Sequence, residues 1–102
     1  MKGDKVLTGL AGIFFNCESV VQAKLFGSRA RGDNKERSDY DVAVFGAVTD
    51  SDKAFISGGI EELPTLLKID LVYADELPQD KFYENILKEG VIFYDRESGK
   101  QD

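Results

Sequence analysis

The sequence predicts a small α/β (α+β) domain: a mixed sheet of about four strands with flanking helices. Three observations point there. Apolar residues recur at helical spacing over 4–16 and again after Pro78. Short apolar runs of strand length fall at 20–26, 39–45, 66–73 and 91–94. The two kinds alternate along the chain, with glycine and proline between them. With 102 residues, 42% of them hydrophobic and 31% charged, one core is attainable without staples, and 1–102 is read as a single domain.

Each element has its own justification. Over 4–16, Val6, Leu10, Ile13 and Phe14 share one face, flanked by Leu7 and Ala11, while Gly9 and Gly12 weaken the helix. Strand one, 20–26, stops at Gly27. Ser28 is a natural N-cap and Gly32 a natural stop, so one short helical turn fits between them, followed by a polar loop to 38. Strand two, 39–45, starts acidic and turns apolar. Residues 50–63 are expected to be helical, broken near Gly58-Gly59 and ended by Pro64. Strand three, 66–73, has one carboxylate inside it. Pro78 opens and Gly90 closes a last helix with Phe82, Tyr83, Ile86 and Leu87 as its core face. Strand four is 91–94, and the polar tail from Arg96 is expected to fray.

Composition excludes several kinds of chemistry. The chain has no histidine, which removes His-based acid–base catalysis, His-containing triads and His-ligated metals. A single cysteine, Cys17, excludes a disulfide framework and reads as a small buried apolar residue beside Phe14 and Phe15. The net charge of −6 disfavours direct nucleic-acid binding. No apolar run is long enough to span a membrane and no signal-type cleavage site follows the N-terminus, so a cytoplasmic protein is expected. The charge is uneven. Lys24, Arg29, Arg31, Lys35 and Arg37 against Asp33 and Glu36 give segment 24–37 a net charge of +3, leaving −9 for the rest. A basic island around glycines in an acidic chain suggests a local anion site.

Three acids stand where acids fit poorly: Asp39, Asp41 and Asp70. Residues i and i+2 of a strand share a face, so Asp39 and Asp41 point one way. If strand three neighbours strand two, Asp70 comes within about one strand spacing, ~4.8 Å, of that pair. Carboxylates so close raise one another's pKa, and a hard, oxygen-seeking divalent cation such as Mg²⁺ relieves the repulsion. Gly27-Ser28 lies where strand one hands over to the helical turn, a place suited to phosphate. If strands one and two are antiparallel neighbours, this corner and the carboxylates share one edge of the sheet. Phosphate donors beside metal-binding carboxylates suggest phosphoryl or nucleotidyl transfer, with a two-metal Mg²⁺ site activating the attacking oxygen and neutralising the leaving pyrophosphate. Gly27 and Gly32 have Walker A spacing, but Asp33-Asn34 replaces the Lys-Ser/Thr that motif requires, and no dinucleotide-type glycine motif is present.

Gly27-Ser28, ten residues, then Asp39-Tyr40-Asp41, with Ala30-Arg31-Gly32 in the gap and Ile69-Asp70-Leu71-Val72 later, resembles the DNA polymerase β-type nucleotidyltransferase superfamily. The short length resembles its minimal nucleotidyltransferases, often the antitoxin paired with a HEPN-domain toxin ribonuclease. The likeness reaches Leu77-Pro78 and Glu89-Gly90-Val91. It implies the polymerase β-like fold, with Gly27 and Ser28 holding the triphosphate of ATP as substrate. It also implies that Asp39 and Asp41 hold Mg²⁺, while Asp70 completes the triad and helps activate the acceptor. The acceptor it implies is a tyrosine of the partner toxin, which receives AMP. Arg29 and Arg31 can assist at the phosphates; equally, Arg31 can pair with Asp33 or Glu36 and brace the loop. Asp70 alone can also be read as a buried acid paired with Lys68 or an arginine, and Tyr40, facing away from the aspartates, as core. A rival reading is a non-catalytic antitoxin that caps its partner, helped by the −9 background. A small-molecule transferase of the aminoglycoside kind lacks a recognisable substrate pocket in the sequence. The acceptor, the base preference and any homo-oligomer stay open at this stage.

Overall fold

Helix α1, Lys5–Phe15, begins at Asp4, whose carboxylate accepts from the amides of Val6 and Leu7 at 2.9 and 3.1 Å. In this computed structural model, which describes residues 3–97 and 100–101, α1 is followed by β1 (Gln22–Phe26), α2 (Gly27–Arg31), β2 (Tyr40–Phe45), α3 (Asp50–Glu61) and β3 (Ile69–Tyr73). A 3₁₀ turn at Ala74–Glu76 then leads to α4 (Lys81–Glu89), β4 (Val91–Asp95) and a two-residue β5 (Lys100–Gln101). The sheet order is β3-β2-β1-β4-β5. β1 lies antiparallel to β2 and β4, and β3 lies parallel to β2. The sheet is therefore mixed, with four substantial strands.

Alternation along the strands decides the two faces. Ala23 and Leu25 of β1, with Tyr40, Val42 and Val44 of β2, point into the core with Phe93 and Tyr94 of β4. α1 and α3 close that side. The buried stripe of α1 is Leu7, Leu10, Ala11 and Phe14, with Val6 and Ile13 at its margin. Cys17 is fully buried there, its thiol near the Ile13 carbonyl at 3.4 Å, and burial, then Asp52, pushes its pKa up. α4 lies against β1 on the opposite face, where the Phe82 ring meets Phe26 in a T-shaped contact at 5.8 Å.

Four expectations are corrected. α3 runs unbroken through Gly58-Gly59. Gly59 is where α3 approaches α1: a Cβ there would lie 2.8 Å from Ile13 Cδ1, so the glycine serves close helix packing instead of a break. Residues 66–68 precede β3 as loop, with Leu66 fully exposed. α4 starts at the Asp80 cap, whose side chain accepts from the Tyr83 amide at 3.1 Å, two residues after Pro78. Of the expected core face of α4 only Ile86 is buried, because the helix covers one end of β1; Phe82 and Leu87 remain half-exposed.

The fraying expected from Arg96 does not hold at that residue. Its guanidinium donates to the carbonyls of Phe14, Phe15, Cys17 and Val20 at 2.8–3.1 Å, placing a cation at the last turn of α1 and the turn that follows it. The rest of that expectation falls partly on residues 98, 99 and 102, outside the described ones. Among the described residues no helix is long and apolar enough to cross a membrane.

Candidate active site

Three chain segments meet at one edge of the sheet. β1 ends at Phe26, β2 begins at Tyr40 and β3 begins at Ile69. Phe26 pairs with Asp41, and Asp41 with Asp70. Registered partners point to the same face, so both carboxylates lie on the face opposite the core. Tyr40 points the other way; it is buried, and its hydroxyl donates to the Asp4 carboxylate at 2.9 Å. One hydrogen bond thus ties the cap of α1 to the strand that carries Asp41.

Gly27 turns the chain from β1 into α2 with φ +75°, in the left-handed region. A Cβ at this position would overlap a carboxylate oxygen of Asp41 and sit 3.2 Å from its Cγ. The corner and the carboxylate are therefore in contact, as the antiparallel pairing of β1 and β2 requires. Ser28 follows in the first turn of α2, which Gly32 ends at φ +84°.

Asp41 has its pKa raised by burial, then by the charges of Asp70 and Asp39, while Arg31 opposes the shift. Asp39 stands one residue before β2 and is exposed. Asp70 pairs with Lys68 at 3.3 Å, and its side chain is 42% exposed. The pairing is the one foreseen for Asp70, but at the surface, not in the interior. The three acids are neighbours, yet among the described residues no three His, Cys, Asp or Glu side chains form a ready-made metal cluster. Hard carboxylate oxygens, a partly desolvated acid repelled by two like charges, and a backbone stripped of its Cβ alongside together suit Mg²⁺ and phosphate.

The two arginines divide. Arg29 donates to the Ser38 carbonyl at 2.9 and 3.1 Å and to the Glu36 carbonyl at 3.2 Å, with its guanidinium 4.0 Å from the Tyr40 ring centre. It braces the 32–39 loop against β2 and points away from the acids. Arg31 pairs with Asp33 at 3.1 Å at the surface, yet lies close enough to Asp41 to oppose its pKa shift. A cleft of about 230 Å³ opens between α2 and α4 beside Gly27, and Arg31, Phe82, Asn85 and Glu89 line it. Sequence reasoning missed this cleft, since Phe82 reads there as core; the signal available was a polar Asn85 and Glu89 one helical turn apart on the same helix.

The family model described as Polymerase beta, Nucleotidyltransferase matches residues 10–99. No curated protein matches the chain. Solved structures do. A crystal structure of a toxin–antitoxin with AMP-PNP superposes with a TM-score of 0.67 at 17% identity, over 89% of this chain and 75% of that one. A mutant of the toxin–antitoxin MntA–HpeT gives 0.60 at 14%, over 85% and 70%. A Sulfolobus solfataricus protein described as a nucleotidyltransferase gives 0.57 at 22%, over 96% and 94%. At these identities the likeness is one of fold.

Proposed function

The chain belongs to the polymerase β nucleotidyltransferase family, and from that premise we propose that it moves AMP from ATP to a hydroxyl of a partner protein. The acceptor in this reading is a tyrosine of a HEPN-domain toxin, and the chain acts in the cytoplasm as its antitoxin. The observation that carries the proposal is the order across the sheet edge: Gly27, then Asp41, then Asp70, in contact or in register. Support for the nucleotide and the partner comes from the toxin–antitoxin structures of like fold, one of them with AMP-PNP.

Each residue has a part. Gly27 lets the triphosphate approach the backbone, and Ser28 offers a hydroxyl donor to it. Asp41 on β2 and Asp39 just before it would hold Mg²⁺, and Asp70 would complete the set from β3. Held by these carboxylates, Mg²⁺ would supply positive charge against the carboxylates and phosphates and would make the acceptor hydroxyl more acidic. Asp70, already turned toward Lys68, sits on the side away from Gly27, where it can accept the acceptor's proton. The acceptor oxygen then bonds to the α-phosphorus as the bond to pyrophosphate breaks. Arg31, released from Asp33, can steady the departing charge.

Incubation with [α-³²P]ATP, Mg²⁺ and the protein encoded by the adjacent reading frame tests this. Label is expected on a tyrosine of that protein, and the paired change Asp39→Ala and Asp41→Ala is expected to abolish it. Undiminished labelling by that variant refutes the proposal.

A second reading has its own observation. The three acids do not converge into a metal cluster among the described residues, and segment 24–37 aside, the chain carries a charge of −9. A capping antitoxin needs only that acidic surface against a basic ribonuclease. It prevails if the acid-to-alanine variant neutralises the partner as well as the wild type does.

A further inference from the structure

We infer that the cleft between α2 and α4 receives the nucleobase of the bound nucleotide, with Phe82 as its stacking platform and Asn85 as the reader of its edge. The inference rests on the nucleotidyl-transfer reading and specifies how that site holds its substrate.

The position of the cleft is the first argument. Gly27 is at once the neighbour of Asp41 and part of the cleft wall. Across the sheet the order is cleft, Gly27, Asp41, Asp70. In-line displacement requires the acceptor to approach opposite the leaving pyrophosphate. With the pyrophosphate at Gly27, the acceptor enters from the Asp70 side. The cleft behind Gly27 is left to the nucleotide.

The walls are the second argument. Phe26 and Phe82 meet edge to face at 5.8 Å with an interplanar angle of 79°. That contact fixes the Phe82 ring, which nonetheless remains 46% exposed. A half-exposed aromatic ring held in place beside a phosphate corner is a stacking surface for a base. Ile86, fully buried, closes the cleft with an apolar side chain. Asn85 offers an adjacent donor and acceptor, the pattern that matches a base edge such as N6 and N7 of adenine. Glu89, one turn further along α4, adds an acceptor for an exocyclic amine. A tyrosine ring from a partner would leave most of these polar groups unmatched, because its only polar atom is one hydroxyl.

Calorimetry with Mg²⁺ and two probes, ATP and inorganic tripolyphosphate, tests the assignment. Wild type is expected to bind ATP more tightly than tripolyphosphate. Phe82→Ala is expected to weaken ATP binding about tenfold, the scale of one base–aromatic stack, and to leave tripolyphosphate unchanged. Asn85→Ala, on the exposed surface, is expected to act in the same direction. Asp41→Ala is expected to abolish binding of both probes. The inference is overturned if wild type binds the two probes equally, if Phe82→Ala and Asn85→Ala leave ATP affinity unchanged, or if they weaken both probes alike. In the first two results tripolyphosphate binding that depends on Asp41 keeps the transfer reading intact. If wild type binds neither probe, both fall.

Discussion

Asp41 is held in a conflict that the folded chain does not resolve by itself. Burial and two like charges favour its neutral form, and Arg31 only partly offsets them. Because the folded pKa lies above the ordinary 3.8, the native state binds the extra proton first. Stability on this account is greatest below 3.8, falls as pH rises through the window up to the raised value, and keeps that deficit at neutral pH. Asp41→Asn removes the charge at nearly constant shape. Thermal melts should show its Tm at pH 7 raised by up to ~4 °C, with the difference from wild type vanishing in acid. Nucleotide transfer by the same variant should fall at least about 100-fold, the scale of losing one preorganised electrostatic contact. Gly27, Asp39, Asp41 and Asp70 were legible as candidates because acids at strand positions and a Gly-Ser at a strand end break local expectations. The setting of Arg29 was not. Its partners are two loop carbonyls and the far face of Tyr40, and nothing in a basic cluster says which arginine folds inward.

At the scale of elements, the strands were readable because their apolar runs are short and bounded. Helix α3 was misjudged at Gly58-Gly59 because intrinsic propensity and tertiary packing disagree there. The structure separates the two glycines. A Cβ on Gly58 meets nothing within 4 Å, as does one on Gly12 in α1, whereas one on Gly59 strikes Ile13. Gly58→Ala and Gly12→Ala should each stabilise the fold by up to ~1 kcal/mol in urea titrations. Gly59→Ala should fall short of both, since Ile13 must move. The junction between α1 and β4 was invisible in the sequence for another reason: Arg96 reads as tail, and its partners are all backbone. Arg96→Ala strips donors from four carbonyls at once. A loss of ~2–4 kcal/mol is expected by chemical denaturation, with transfer activity per folded molecule unchanged.

For the whole molecule, a metal held at the proposed site would be linked to folding. A cation that binds the native acids but not the unfolded chain stabilises by about 2.7 kcal/mol at 100 times its Kd. Melts in Mg²⁺ should therefore rise for wild type and stay level for Asp41→Asn; a flat response in both would remove the metal from the account. The polymerase β-like architecture was legible as a whole because the candidate site residues come from three short segments at fixed spacing, 27–28, 39–41 and 70. The face on which they meet has helices only toward one end. α4 reaches β1, whereas Asp39 lies exposed and Asp70 is 42% exposed beside Lys68. A candidate site this open admits bulk solvent, and water can itself be the nucleophile in place of an acceptor hydroxyl. Under the proposed transfer to a partner protein, ATP would be lost to slow hydrolysis whenever that partner is absent. On that proposal, docking of the partner would supply the missing roof, so the substrate would shut out its own competitor.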